Sequence, residues 1–220
     1  MIFDCDGTLV DSQNIIAESM SAAFAAEGLA WPGREATLSI VGLSLAEAFA
    51  RLVPHLSPEA RGALADRYRE AFFRLRQDPV HHEPAFDGAL EAIAALGRRE
   101  DLVLGIATGK SRRGVDAVLE RFGLNGRFST IQTADDAPSK PHPGMVLQAM
   151  AEAGAEPERT IVVGDTVFDV EMARAARARA IGVSWGYHRP EALTAAGADR
   201  IAFHFRDLAG HLDALWESDP

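Results

Sequence analysis

The stretch TIVVGDTVFDVEMARAA, residues 160–176, sets the pattern for most of the chain. A β-branched run from Thr160 to Val163 stops at Gly164, Asp165 and Thr166 follow, and Val170 and Ala173 then repeat at helical spacing with Asp169 beside them. This is a strand, an acidic turn and a helix. Similar runs are Leu102 to Ala107, Ser129 to Thr133, Ala180 to Ser184 and a weaker Arg200 to Phe203, with Met1 to Asp4 as a shortened first strand. Helices between them are marked by Leu90, Ile93 and Leu96, by Val115, Val118, Leu119 and Phe122 before Gly123, and by Val146, Leu147 and Met150 before Gly154. Short strands alternating with helices predict an α/β fold, a parallel sheet with helices on its faces.

Residues 12–83 break that rhythm, because helical patterns follow one another there with no strand between them. Ile16, Met20 and Phe24 share a helix face that ends near Gly28, Ser44 with Glu47 predicts a capping box, and Ser57-Pro58 starts a third helix towards Asp78-Pro79. The block reads as a helical domain, residues 13–82, inserted into a core made of residues 1–12 and 83–220.

Of the 220 residues 47% are apolar, enough for one sizeable core or for a core and a small accessory domain. The net charge of −10 and a pI near 5.1 repel nucleic acid and anionic membrane surfaces, so neither is an expected partner. An anionic ligand must then be gripped by a few local cations. Lysine occurs only at Lys110 and Lys140. Cys5 is the single cysteine and cannot form an internal disulfide, which fits a reducing compartment. No basic segment leads an apolar run at the N-terminus, and no apolar stretch approaches the ~20 residues that span a bilayer. The expectation is a cytoplasmic monomer or homodimer.

Four segments carry chemistry. In Asp4-Cys5-Asp6-Gly7-Thr8 the i, i+2 spacing of an extended chain points both carboxylates the same way. Such a pair suits covalent phosphoryl transfer, one acid attacking phosphorus and the other protonating the leaving oxygen, though a strand ending in an acidic turn has the same pattern. Thr108-Gly109-Lys110 offers a hydroxyl and backbone N–H groups to an anion, or is ordinary turn chemistry. Lys140-Pro141-His142-Pro143 fixes the lysine's backbone, either to present a charge or as a rigid surface loop. Asp165 and Asp169 can present oxygens to a hard cation, or Asp165 or Thr166 caps the helix that follows. Each segment ends an apolar run, where ligands bind in open α/β sheets.

The segments DCDGTLVDS, ATGKS, SKPHPG and VVGDTVFD resemble, in order and over nearly the whole chain, the four motifs of the haloacid dehalogenase-like superfamily. The resemblance implies a Rossmann-like core with a helical cap inserted after the first motif, and Mg²⁺-dependent hydrolysis of a small phosphorylated metabolite. It implies Asp4 as nucleophile, Asp6 as general acid/base, Thr108, Gly109 and Lys140 at the phosphoryl group, and Mg²⁺ held by Asp4, the Asp6 carbonyl and Asp165, with Asp169 in support. Asp6 favours phosphoryl chemistry over dehalogenation, and the lack of lysine between Ser12 and Glu83 argues against phosphonate cleavage through a Schiff base. The wording is similar to the phosphoglycolate phosphatase group, and Val41 to Glu47 of the cap are expected to face the site. A sugar-phosphate mutase and a non-catalytic phosphate-sensing or partner-binding module are the alternatives. His81, His82 and Glu83 read as a solvated hinge, and Cys5 as a buried core side chain.

Overall fold

The computed structural model describes residues 1–217. Six strands form one sheet: β1 (Ile2–Phe3), β2 (Gly105–Ala107), β3 (Thr130–Gln132), β4 (Ile161–Gly164), β5 (Arg179–Val183) and β6 (Arg200–Ala202). Their order is β3-β2-β1-β4-β5-β6, and every neighbouring pair is parallel. The winding direction reverses between β1 and β4, so the loops leaving their carboxyl ends part and open a crevice. Asp4 and Asp165 stand at those two ends.

Alternation along the strands divides the core. Phe3, Ile106, Val163 and Ile181 face one side, against Ile93 of α5 (Ala89–Leu96), Val115 of α6 (Arg112–Arg121) and Leu212 of α10 (Asp207–Glu217). Ile2, Val162 and Ala180 face the other, against Met145 of α7 (Gly144–Ala153), Met172 of α8 (Val167–Ala175) and Leu193 of α9 (Pro190–Ala195). Both faces of the short strands are covered, which is why they read as apolar runs without polar alternation.

After β1 the chain makes α1 (Gln13–Ala26), α2 (Arg34–Leu38), α3 (Leu45–Leu52) and α4 (Pro58–Leu75) before returning to the sheet. Met20, Phe24, Phe49 and Leu64 give this insertion its own core, into which Phe168 of α8 reaches. The fold is thus α/β, a Rossmann-like parallel sheet with an inserted helical cap.

Some expectations need correction. β2 starts at Gly105, later than the apolar run, although the Val103 and Leu104 carbonyls already accept from the Met1 ammonium at 2.7 Å and the Ser129 N–H at 2.8 Å. Leu147 is 47% exposed, and the buried face of α7 is Met145, Val146, Ala149 and Met150. The capping box at α3 is half made: Glu47 N–H donates to Ser44 Oγ, but the Glu47 carboxylate pairs with Arg51, and Ser44 N–H donates to Ser139 Oγ at 2.8 Å. That last bond crosses from the cap to the core.

Candidate active site

The site begins as a turn. Asp4 N–H donates to the Val163 carbonyl at 2.9 Å, extending the β1–β4 pairing by one residue, and the N–H groups of Thr8, Leu9 and Val10 all reach back to the Cys5 carbonyl. Gly7 makes this tightness workable: its φ is +84°, and a Cβ there would overlap the Asp165 carboxylate. Thr8 Oγ donates to Asp165 Oδ1 at 2.9 Å, and the Trp185 indole N–H donates to the Thr8 carbonyl at 3.0 Å. The turn after β1 is therefore locked onto the turn after β4 and the loop after β5. Cys5 points into the sheet core and is buried, as the strand alternation requires.

Asp4, Asp165 and Asp169 are all buried, with one ligand oxygen of each lying within 4.8 Å of the others. Lys140 is fully buried among them, its ammonium 2.8 Å from Asp4 Oδ1 and 2.6 Å from Asp169 Oδ1. Burial by itself would strip the proton from Lys140, but Asp169 and Asp4 outweigh it and hold the ammonium above its ordinary range. Burial pushes the Asp4 carboxyl up to about 6 against the pull of Lys140, and burial with the neighbouring Asp169 and Asp4 charges pushes Asp165 well up. The reading of Lys140 as a surface lysine is overturned.

The donor set fits a divalent cation. Ionising all three carboxylates would set three negative charges against one ammonium in a buried site, a cost that a hard dication bound by oxygens removes. Both Asp4 oxygens lack an aligned hydrogen bond among the described residues. Asp169 differs. Its Oδ1 accepts from Lys140, and its Oδ2 accepts from the N–H and hydroxyl of Thr166 at 3.0 and 2.7 Å. Thr166, not Asp165, is thus the residue at the start of α8. Asp165 accepts from Thr8 and from the Tyr187 N–H at 2.9 Å.

Asp6 faces a second cluster. Its Oδ1 accepts from Lys110 Nζ at 2.7 Å and from Ser12 Oγ, and Lys110 also lies 2.8 Å from Glu83 Oε1. Arg76 reaches Glu83 Oε2 at 3.2 Å, and the Lys110 ammonium sits 5.2 Å from the Phe72 ring centroid. Glu83 is 1% exposed, so its reading as part of a solvated hinge is wrong, although neighbouring His82 is exposed and His81 pairs with Glu18 at 3.1 Å. The pairing of Lys110 with Asp6 and the whole role of Glu83 were missed. The scarcity of lysine singled out Lys110, but no spacing links Glu83 to residues seventy positions away.

Thr108, buried at the end of β2, lies where its hydroxyl favours the ionised form of Asp4. Gly109 passes so close to the Gly42 carbonyl of the cap that a Cβ would collide with it. Val41 to Ala46 line the cavity above Asp4 and Asp6, whereas Glu47 turns away to Arg51.

Fold and site together define a capped α/β protein with buried carboxylates gathered at its sheet's switch point. A model of haloacid dehalogenase-like hydrolases matches residues 1–183. The chain is 36% identical over 216 residues to a probable phosphatase, IndB, of Dickeya dadantii, covering 98% of this chain and 94% of that protein. It is 31% identical to an N-acetylmuramic acid 6-phosphate phosphatase of Pseudomonas aeruginosa (97% and 94% covered), and 28% identical to a phosphoglycolate phosphatase of Photorhabdus laumondii (94% and 88%). Among solved structures, a hydrolase from Pseudomonas syringae superposes with a TM-score of 0.86 at 29% identity, covering 97% of each chain. The chain belongs to the haloacid dehalogenase-like hydrolase family. It is a phosphatase of the phosphoglycolate phosphatase-like group.

Proposed function

We propose that the chain hydrolyses a small phosphorylated metabolite in a Mg²⁺-dependent reaction through an aspartyl phosphate on Asp4. The observation that carries this reading is the Asp4 carboxylate: buried, held 2.8 Å from Lys140, and with neither oxygen engaged by an aligned donor among the described residues. An Asp4 oxygen forms the bond to phosphorus as the bond to the leaving oxygen breaks, and Asp6 delivers the proton that oxygen needs. Water then attacks the aspartyl phosphate, Asp6 takes its proton, and phosphate leaves with Asp4 restored. Thr108, Gly109 and Lys140 hold the phosphoryl oxygens. Mg²⁺, held by Asp4, the Asp6 carbonyl and Asp165 with Asp169 behind, would neutralise charge on those oxygens.

Residues 13–82 serve as the cap that covers the site and excludes water. The expected setting is the cytoplasm, as a monomer or homodimer. The mutase alternative is no better supported: the likeness to a Bacteroides vulgatus protein named for β-phosphoglucomutase, at 24% identity and a TM-score of 0.81, is one of fold. The test is Mg²⁺-dependent phosphate release from an aryl phosphate, comparing the chain with Asp4→Asn. Release that disappears with EDTA and in the variant supports the reading, and equal background rates for both proteins would overturn it in favour of a binding module.

A further inference from the structure

Asp4, Asp6 and Thr108 lie at one end of a cavity of about 490 Å³ between cap and sheet. A volume of that order encloses a whole organic ligand, well beyond a phosphoryl group. Part of its wall is apolar: Ile16 and Met20 from α1, Val41 and Leu43 from the segment before α3, and Phe72 and Phe73 from α4.

Among the described residues, the buried or partly buried cations that line the cavity are already engaged by carboxylates, and the others are solvent-exposed. Lys110 is taken by Asp6 and Glu83, and Arg76 by Glu83. Arg69 pairs with Asp66, and Arg113 lies 4.3 Å from the Phe73 ring centroid; both arginines are exposed. A carboxylate a few bonds from the ester oxygen, as in a short hydroxy-acid phosphate, would lose its water against Val41, Leu43 and Phe72 with only the exposed, water-screened Arg69 and Arg113 to answer it. An alkyl or aryl body would instead bury surface along the same wall.

We propose that the ester's leaving group is a bulky, largely apolar alcohol and not a short hydroxy acid. This specificity rests on the phosphatase reading above. It also sets the chain apart from relatives named for phosphoglycolate.

The test is a series of primary alkyl phosphates from ethyl to octyl, with 2-phosphoglycolate alongside, assayed on the full chain with Mg²⁺. The alkyl leaving groups have nearly equal intrinsic reactivity, so chain length isolates the cavity. Each methylene that enters is expected to raise kcat/KM by roughly three- to fourfold until the cavity fills, with 2-phosphoglycolate no better than ethyl phosphate. Phe73→Ala, at a half-exposed position that tolerates truncation, flattens the rise for the longest chains. Calorimetric binding of the matching alkyl phosphonates, whose C–P bond this chemistry does not cut, gives a second readout. If no ester releases phosphate, the hydrolytic reading fails while phosphonate affinities rising with length still uphold the cavity's preference. A flat series in both measurements, or 2-phosphoglycolate favoured over octyl phosphate, overturns the proposal.

Discussion

The two lysines of the chain occupy two clusters that look alike and are built differently. Lys140 pairs with Asp4 and Asp169, at the ends of the central strand and one turn into α8, so every partner belongs to the sheet core. Lys110 pairs with Asp6 in the core and with Glu83, which returns the chain from the cap and also holds Arg76 just beyond α4. The first ammonium is fixed by strands that cannot move independently. The second ties the acid/base candidate to the junction where the cap rejoins the core. Both ammoniums are buried, but the first cluster sets three carboxylates against one cation and the second two against two, and each holds different parts of the protein together.

The contrast breaks most sharply at Asp4. Asp4→Asn keeps the shape of the Lys140 cluster but removes the proposed nucleophile, and should lower kcat by roughly 10⁴-fold or more in a phosphate-release assay. Lys140→Met comes next. Losing the buried donor proposed to hold the phosphoryl oxygens is expected to cost about 10²–10³-fold in kcat. Breaking a buried pair from one side also costs about 3–5 kcal/mol of stability, read by denaturant unfolding. A kcat within tenfold of the parent would show that Lys140 serves the fold alone.

At the second cluster the expected effects are smaller and shared. Lys110→Met and Glu83→Gln, measured singly and together, should show a coupling energy of about 1–3 kcal/mol in unfolding, because each leaves the other's charge buried. Burial alone would raise the Glu83 carboxyl, but Lys110 and Arg76 reverse that and hold it below the ordinary carboxylate range. Its contribution to stability is therefore present above that range and lost as pH falls below it, and Glu83→Gln should blunt the loss. Additive single effects would mean that the cap junction is not tied to Asp6 through Lys110.

The same contrast separates what the sequence reveals from what it hides. Asp4, Asp6, Thr108 and Asp165 end or closely follow an apolar run, and parallel strands gather such ends at one edge, so periodicity brings them together, whereas Lys140 lies in the loop between β3 and α7 and is placed by that loop's path. The cap was legible for a similar reason, since helical spacing without strands cannot continue a sheet. Glu83 obeys no period. It is buried because the returning chain passes beside Lys110, a tertiary fact, and its histidine neighbours made it look solvated. Ser44 shows the limit on a smaller scale: its motif predicted a local cap box, but a core hydroxyl, Ser139, offered its backbone N–H a better partner.

The finest distinction lies in how the first cluster answers to pH and metal. Burial, joined by the Asp169 charge, places the Asp4 carboxyl at about 6 in the metal-free protein, above its ordinary value. A carboxyl raised on folding favours the native state most at low pH, and that advantage is lost as pH climbs through about 6. A dication needs the ionised form, so each pH unit below about 6 should weaken Mg²⁺ by about tenfold through this group alone. The rise in melting temperature on adding Mg²⁺ is therefore expected to be small at pH 5 and to grow up to pH 7, with a weaker pH dependence in Asp4→Asn. Lys110→Met should leave that growth in place, because its carboxylate partners lie outside the three that gather around Lys140. If the Mg²⁺ effect were the same at pH 5 and pH 7, or vanished in Lys110→Met, the two clusters would not be separate.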